Sequence, residues 1–382
     1  MLLIKNAKVY TMAEKVLENG QILIKGNKIL KVGKNIEVDK NCKVIDAKGF
    51  YVTPGFIDAH CHLGMFEQDM GFEGSDGNEI TDPVTPELRA IDAINPMDSA
   101  FKEAYENGVT CVCTGPGSAN VIGGSFAIIK TKGIRIDNMI VKENAAMKCA
   151  FGENPKRCYN AKKQSPSTRM ATAAILREAL MKGRDYLEKK ENGEGKQNFN
   201  MKMEALIPVL KRQIPLKAHA HRADDIFTAI RIAKEFNLKL TLDHCTEGHL
   251  IKDELVKENY PAIVGPTFGF RTKIEVRNKT FDTLKVLKKA GVKFAIMTDH
   301  PVIPISHLSL CASLAVKAGL DEETALKAIT INAAEILGIQ DRVGSIEEGK
   351  DADIAIFDKH PFDVQANTQY VIINGEIVFK KY

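Results

Sequence analysis

The sequence lacks the features that mark membrane, secreted and nucleic-acid-binding proteins. No apolar run reaches the roughly 18 residues that span a bilayer. The first residues do not combine a basic region with a long apolar stretch, so we expect no signal peptide. The net charge is only +4 over 382 residues, which argues against partners held by a strong positive field, namely nucleic acids and membrane surfaces.

Cysteine pairs with the spacing of metal or redox sites are also missing. None of the eight cysteines forms a Cys-x-x-Cys pair, which argues against a thiolate zinc site and against a redox pair. A chain of this length can bury most of its apolar surface and needs no disulfides to fold. We therefore expect a reduced, cytoplasmic location, with most cysteines acting as small buried apolar residues.

The order of the predicted elements indicates an α/β fold. Both ends of the chain, 1–52 and 344–382, consist of short β-branched runs separated by turn residues, and we expect them to form one small β-sandwich domain together. Between them, in 53–343, short apolar runs alternate with helical patterns, which predicts parallel strands joined by helices. About eight such units favour a (β/α)8 TIM barrel as the catalytic domain. A long acidic, glycine-rich excursion at 62–95 then lies on the carboxyl-terminal face of the barrel as a lid or a wall.

Histidines follow the ends of several predicted strands, where barrel enzymes carry their catalytic side chains. In GFIDAHCHLG, His60 and His62 are two residues apart on a buried strand, so both imidazoles share one face. Two neutral imidazoles on one face are suitable ligands for a first-row metal. The alternative of two solvated polar residues is weak, because the strand before them is apolar.

A second pair repeats this pattern in LKAHAHRADD. We favour His221 as a metal ligand and keep His219 as a second-choice ligand or a substrate contact. A third strand, in TLDHC, ends at His244, which we also take as a ligand. Each single histidine could instead be a hydrogen-bonded barrel residue.

Asp299 ends the last predicted strand, in KFAIMTDHP. A carboxylate at the end of so apolar a run needs a strong partner, since unpaired burial costs several kcal/mol. A bound divalent cation is such a partner, and it lowers the pKa of its water to about 7. Asp299 would take the proton of that water and pass it on, as ligand and as acid–base group. A helix N-cap is the alternative role.

Two metal ions would require one more ligand. AMKCAFGENPK offers Glu153 and Lys148, and a bridge between two cations must be anionic. Glu153 qualifies directly, whereas Lys148 qualifies only as a carbamate, so we prefer Glu153. A loop salt bridge or cap is the competing role for Glu153.

Taken together, these motifs resemble the amidohydrolase superfamily, in particular its imidazolonepropionase-like branch. The resemblance covers nearly the whole chain and rests on the opening LLIKNAKVYTM, on the strand-end residues and on the closing run TINAAEILGIQDRVGSIEEGKDADIAIFD. It implies a metal-dependent barrel with a sandwich built from both termini. It also implies first-strand ligands at His60 and His62, ligands at His221 and His244, and the acid–base group at Asp299.

The resemblance implies a hydrolase that cleaves a carbon–nitrogen bond, in a cyclic amide or an N-acyl compound, by metal-activated water. A metal-dependent deaminase of a small heterocycle is the alternative, and a metal-free scaffold protein is a third reading. The cofactor is a divalent metal, with zinc as the default and one or two ions. The partner is a small-molecule substrate, with neither nucleic acid nor membrane, and the family favours a homo-oligomer.

Overall fold

The computed structural model describes residues 1–68, 70–193 and 198–381. The strands within these ranges are β1 (Leu2–Val9), β2 (Leu17–Lys25), β3 (Lys28–Gly33), β4 (Lys43–Asp46), β5 (Tyr51–Pro54), β6 (Phe56–Cys61), β7 (Val109–Thr114), β8 (Ile122–Lys130), β9 (Ile140–Ala150), β10 (Leu216–Ala220), β11 (Leu240–His244), β12 (Ala262–Val264), β13 (Phe294–Ile296), β14 (Ile354–Phe357), β15 (Thr368–Ile373) and β16 (Glu376–Lys380). The α-helices are α1 (Ser99–Glu106), α2 (Glu153–Asn160), α3 (Arg169–Asn192), α4 (Met201–Leu210), α5 (Ala223–Glu235), α6 (Lys252–Glu258), α7 (Asp282–Ala290), α8 (Leu308–Lys317), α9 (Glu322–Ala328) and α10 (Ile331–Leu337). Short 3-10 helices are Ala90–Asp92, Ile136–Asn138, Gly248–Leu250, Ile274–Val276 and Ile305–His307.

Strands β6 to β13 form one eight-stranded sheet within the described residues, in the order of the sequence. The crossover helices follow the expected amphipathic pattern. In α5, between β10 and β11, the residues Ile226, Ala229, Ile230 and Ala233 recur at helical spacing and are all buried. This pattern covers the outside of the sheet with an apolar helix face and leaves the strand ends free for the site.

The strict parallel alternation predicted for the barrel is interrupted at β8. This strand pairs antiparallel with both β7 and β9. Only residues 115–121 connect β7 to β8, and only 131–139 connect β8 to β9. A parallel crossover needs about a dozen residues or more, so connections this short force the chain to return antiparallel. The fold is therefore an eight-stranded, barrel-like α/β sheet with one reversed strand.

The sheet nearly closes between its first and last strands. The backbone N–H of Asp299 donates to the carbonyl of His60 at 3.2 Å, and that of His62 donates to His300 at 2.8 Å. One step deeper, the buried carboxylate of Asp58 accepts the backbone N–H of Thr298 at 3.1 Å. These contacts bring the carboxyl ends of β6 and β13 together, although they are far apart in the sequence.

The two ends of the chain form a second sheet, in the order β16-β15-β14-β5-β1-β2-β3, with β4 also paired to β1. The prediction that both termini share one β structure agrees with this pairing, because β5 joins β14 antiparallel. Ile4, Ile22, Ile354 and Ile356 are fully buried in its core. That this sheet makes a separate two-layered sandwich with the boundaries 52/53 and 343/344 stays a prediction.

A buried ion-pair network joins the second sheet to the barrel. Lys130, at the end of β8, places Nζ 2.5 Å from Asp353 and 3.1 Å from Asp351, and all three side chains are at most 4% exposed. The carboxylate of Asp351 also lies 2.9 Å from the guanidinium of Arg342 and 2.8 Å from the ammonium of Lys28. The network connects residues just before β14 to the barrel wall.

The excursion after β6 packs against the barrel mouth; its residue Asp69 lies outside the described residues. The carbonyl of Gly77 accepts the N–H of Gly117 at 2.7 Å, and Asn120 donates to the carbonyls of Glu79 and Asp82 at 2.6 and 2.8 Å. The excursion thus forms part of the wall above the strand ends. Among the described helices, none combines the length and the apolar composition needed to cross a membrane.

Candidate metal centre

His60 lies on β6 and His62 directly follows this strand, and the Nδ1 atom of each contacts another part of the barrel. The Nδ1 of His62 lies 2.7 Å from the carbonyl of Gly115, which can only accept, so Nδ1 carries the proton. The Nδ1 of His60 lies 2.7 Å from a carboxylate oxygen of Asp243. Both contacts leave the Nε2 atoms unprotonated, and that of His60 faces the Nζ of Lys148 at 3.2 Å. Burial lowers the pKa of His60 to about 4, which favours its neutral form.

Asp299 follows β13 and meets both imidazoles. Its Oδ1 lies 3.4 Å from Nε2 of His60 and 3.2 Å from Nε2 of His62. Burial alone would raise the pKa of Asp299, but the neighbouring His244, His60 and His62 hold it well below the usual range. Its backbone φ of +56° is in the left-handed region that few residues other than glycine adopt, as expected where function fixes the chain.

Three more histidines form a second group beside the first. The ring centroids of His219 and His221 each lie 4.3 Å from that of His244, and the His60 ring lies 5.6 Å from His244. The Nδ1 of His244 donates to the carbonyl of Gly265 at 2.8 Å, and the Nδ1 of His221 lies 2.7 Å from the hydroxyl of Thr246. Burial lowers the pKa of all three imidazoles well below their usual value.

The donor atoms fit divalent cations. The candidate ligand atoms of His60, His62 and Asp299 lie within 4.8 Å of one another, and so do those of His219, His221 and His244. In the first group, unprotonated Nε2 atoms and a carboxylate oxygen converge, and each of them is an acceptor. Such a cluster of lone pairs is unfavourable unless a cation lies between them. Neutral imidazole nitrogens with one carboxylate match the ligands of zinc and similar metals.

The Nε2 atoms of His219 and His221 differ in their hydrogen-bond partners. The Nε2 of His221 has no hydrogen-bond partner among the described residues. The Nε2 of His219, in contrast, lies 3.4 Å from the amide nitrogen of Asn154. The Asn154 amide is oriented by Lys273, whose ammonium can donate only to its oxygen. The Nε2 of His221 therefore has a free lone pair, whereas that of His219 faces the amide of Asn154.

The structure does not bring Glu153, the preferred bridging ligand, into either group. Gly152, with φ +80°, turns the chain at the end of β9, and Glu153 begins α2 on the outer side, lining a groove with Arg169 and Arg222. Lys148 lies inside instead. It is completely buried on β9, with Nζ 3.2 Å from Nε2 of His60. The preference for Glu153 over Lys148 is therefore not supported by this geometry.

Two buried charged residues behind the ligands were missed. Asp243 contacts His60, and Lys217 places its ammonium 3.3 Å from Asp243. Burial would raise the pKa of Asp243, but Lys217 and His60 hold it below its usual range. The signal was present in the strands, because Lys217 and His219 alternate with alanines in LKAHA as polar residues on the inner face. In LTLDH, Thr241 and Asp243 likewise alternate with leucines.

Replacing Asp243 by Asn is expected to weaken metal binding about 10- to 100-fold, because a neutral amide no longer supports the basicity and orientation of His60. The measurement is the number of divalent ions per chain after dialysis against a graded series of chelator concentrations. Thr241→Val, which removes only a hydroxyl bonded to the same carboxylate at 3.1 Å, is the matched control. Equal retention of metal in Asp243→Asn and the wild type would contradict the assignment.

Asp224 follows His221 by three residues but is paired with other side chains. It pairs with the guanidinium of Arg222 at 2.9 Å and is about half exposed. The loop after β12 supplies a different carboxylate, Glu275, which is 1% exposed and lies 3.7 Å from Nε2 of both His219 and His221. No strand or helix pattern precedes Glu275, so periodicity gave no reason to select it.

A cavity of about 420 Å³ opens onto these groups, which is the size of pockets that hold small molecules. His62, His219, His221, His244 and Asp299 line its floor. Phe66 and Asn78 of the excursion and residues of the loop after β12 form the walls. A small substrate entering this cavity would therefore meet the proposed ligands directly.

Comparison with known proteins agrees with this architecture. The model of the amidohydrolase family matches residues 160–378, more than half of the chain. A solved structure, an amidohydrolase from Thermotoga maritima MSB8, is 45% identical, covers 100% of both chains and superposes with a TM-score of 0.97. The chain belongs to the amidohydrolase family. The predicted family and the class of enzyme, an amidohydrolase acting on carbon–nitrogen bonds, are thereby confirmed.

Curated amidohydrolase relatives span several activities. Amidohydrolase tasK of Hapsidospora irregularis is 29% identical over 94% of this chain, which spans only 40% of that protein. Imidazolonepropionase of Fusobacterium nucleatum subsp. nucleatum is 25% identical, covering 96% of this chain and 93% of that protein. Dihydroorotases and deaminases are also among the relatives. Membership of the family therefore leaves the substrate open.

Proposed function

We propose that this protein is a metal-dependent hydrolase that cleaves the carbon–nitrogen bond of a cyclic amide or an N-acyl compound. The observation that carries the proposal is the convergence of unprotonated Nε2 atoms and the Asp299 carboxylate at the floor of one cavity. His60, His62 and Asp299 would hold one cation, and His221 and His244 a second. Zinc is the default for nitrogen and carboxylate ligands. A homo-oligomeric assembly and a cytoplasmic location stay predictions from the sequence.

Lys148 is the candidate bridge between the two cations. Its side chain is fully buried next to His60, and burial lowers the pKa of its amine to about 8. Addition of the neutral amine to carbon dioxide, with loss of one proton, gives a carbamate whose single negative charge is shared by two oxygens. This modification converts a buried cation among lone-pair donors into the anion that a bridge between two cations requires.

Each residue has a definite task in the proposed reaction. When bound, the cations supply Lewis-acid chemistry, activating water and polarising the substrate carbonyl. Asp299 accepts a proton from the attacking water at its carboxylate and returns it to the departing nitrogen. Asp243 holds the Nδ1 proton of His60, and Gly115 holds that of His62, so their Nε2 atoms stay available. His219 lines the cavity, where its ring would contact the substrate.

The test is hydrolysis by purified protein that has been depleted of metal and then reloaded with zinc. The substrate panel contains cyclic amides, N-acyl compounds and dipeptides, and the appearance of a new carboxylate is followed. Hydrolysis that disappears on depletion and returns with zinc is the expected result. Absence of hydrolysis of every member by the reloaded protein, with metal bound, would count against the proposal.

A deaminase of a small heterocycle is the second candidate, because deaminases are among the relatives. The same acid–base group would serve attack on an amidine carbon, with ammonia as the leaving group. Amino-substituted heterocycles in the same panel, with ammonia as the measured product, separate the two reactions. Ammonia release without amide hydrolysis would select the deaminase.

Replacing Lys148 by Met is expected to lower the number of bound zinc ions from two to one per chain and to reduce kcat/KM about 10- to 100-fold or more, because the bridging anion is lost. Metal quantification and steady-state kinetics on the same preparations provide the measurement. Added short carboxylic acids should restore part of the activity by filling the space of the carbamate. Cys149→Ala, at the next buried residue of β9 and on the opposite face of the strand, is the control for a general effect on the barrel interior. Two ions retained in Lys148→Met would exclude the bridging role.

A further inference from the structure

Basic side chains dominate the upper wall of the cavity. Arg157, Lys273 and Lys279 line it, and Asp299 is the one acidic residue among the described residues that do so. If Asp299 serves the cations, Glu275 offsets the charge of Lys273, and the charges of Arg157 and Lys279 remain without an acidic partner among the described residues. A wall with this imbalance attracts anions and disfavours substrates of positive charge.

Lys273 is held in a fixed position by two acceptors. Its ammonium lies 2.6 Å from Glu275 Oε1 and 2.9 Å from Asn154 Oδ1. An ammonium has three N–H donors, so one remains for a ligand after these two contacts. The Lys273 side chain is 17% exposed, and its residue lines the cavity. Lys273 is thus held by two protein acceptors and still has one N–H for a ligand in the cavity.

Arg157, on α2, is a second basic residue that lines this cavity. It follows Asn154 by three residues on α2, so the two side chains share one face of the helix. Arg157 is exposed and lines the same cavity, and its guanidinium has no ion pair or hydrogen bond to any described residue. An unpaired guanidinium offers a planar pair of donors that matches a carboxylate.

We infer that the substrate carries a carboxylate, separate from the bond that is cleaved, and that Arg157 and the free N–H of Lys273 bind it. This inference rests on the proposed hydrolysis and narrows it to anionic amides. Asn154 links the carboxylate site to the metal side of the cavity, because it contacts Lys273 through its oxygen and His219 through its nitrogen. Binding of the substrate carboxylate at this site would therefore fix its distance from the substrate amide bond that lies over the cations.

The experiment compares matched pairs of compounds that differ only in this charge. The pairs are pyroglutamate with its carboxamide, N-acetylglycine with N-acetylglycinamide, and N-acetyl-leucine with N-acetyl-leucinamide. For the zinc-loaded enzyme, calorimetry gives Kd for compounds that are not turned over, and steady-state kinetics give KM and kcat for those that are. At least one carboxylate is expected to bind about 10-fold or more tightly than its carboxamide, the effect of a charge-assisted hydrogen bond.

Variants of Arg157 and Lys273 test whether these residues cause the preference for carboxylates. Arg157→Gln is expected to weaken binding of the carboxylate about 10-fold and to leave the carboxamide unchanged. Lys156→Gln is the matched control, because this neighbouring cation lines the outer groove instead of the cavity. The double variant Lys273→Met with Glu275→Gln removes the second donor without leaving an unpaired buried carboxylate, and a similar loss is expected.

The outcomes separate this inference from the proposed function. Equal affinity within every pair overturns the carboxylate site, even if amides are hydrolysed. A preference for carboxylates that is unchanged in both variants also overturns it, since the carboxylate would then bind the cations directly. A preference that the variants abolish, in a protein that hydrolyses no amide, supports the carboxylate site while the hydrolase assignment fails.

Discussion

Asn in place of Asp299 is expected to reduce kcat about a thousandfold, which is within the range contributed by a general acid–base group. The amide is isosteric with the carboxylate, but it cannot take a proton from water and return it to the leaving nitrogen. Asn also tolerates the left-handed backbone that this position requires, with φ +56°, so the fold should be retained. The measurement is kcat on the best amide from the substrate panel, with zinc per chain determined on the same sample.

The zinc content distinguishes the two functions of Asp299. Loss of activity with both ions retained indicates the proton transfer, whereas loss of an ion indicates the ligand role. Asp224→Asn is the matched control, because its carboxylate is paired with Arg222 on the surface of α5, and activity should stay within about twofold of the wild type. Full hydrolytic activity in Asp299→Asn would exclude the acid–base assignment.

Met in place of Lys130 is expected to destabilise the protein by about 3–5 kcal/mol, because it leaves the buried carboxylate of Asp353 without its cation. The side chains of Lys130 and Asp353 are 3% and 4% exposed, so water cannot replace the missing partner. The free energy of unfolding from urea denaturation provides the measurement. The network joins the terminal sheet to β8, so we attribute the expected loss of unfolding free energy to weaker contact between these two parts.

Two variants test the origin of this loss. Lys28→Met removes another partner of Asp351, but Lys28 is 45% exposed, and a cost of about 1 kcal/mol or less is expected. Lys130→Met combined with Asp353→Asn removes the unpaired charge and should recover part of the stability. A loss in Lys130→Met no larger than in Lys28→Met would show that the buried network contributes little.

Local patterns were sufficient to find the histidines. The two-residue spacing of His60 and His62 on an apolar strand indicated that both imidazoles share a face, and the structure brings both to Asp299. The terminal hairpins and the barrel strands were recognised by alternation and turn residues. Neither strand β8 nor its reversed direction was predicted, although the short connections at 115–121 and 131–139 contained the reason for that direction.

The choice between Glu153 and Lys148 could not be made locally. The sequence offers an anion and a cation five residues apart, and only the turn at Gly152 separates their surroundings. Charge alone favoured Glu153, since a bridging ligand must be anionic. The structure places the lysine among the lone-pair donors and the glutamate on the outer groove, and this placement supports the proposed carbamate at Lys148 rather than a ligand at Glu153.

The sequence by itself determined which side chains point to the inside of each strand and which strands end in ligand-type residues. That information is local, because the direction of a side chain follows from the two-residue period of an extended chain. Only the tertiary structure decided which of these groups meet. The contacts of Lys148 with His60, of Asp243 with Lys217 and of Glu275 with His221 depend on how distant strands and loops pack around the barrel. No periodicity within a single element contains those distances.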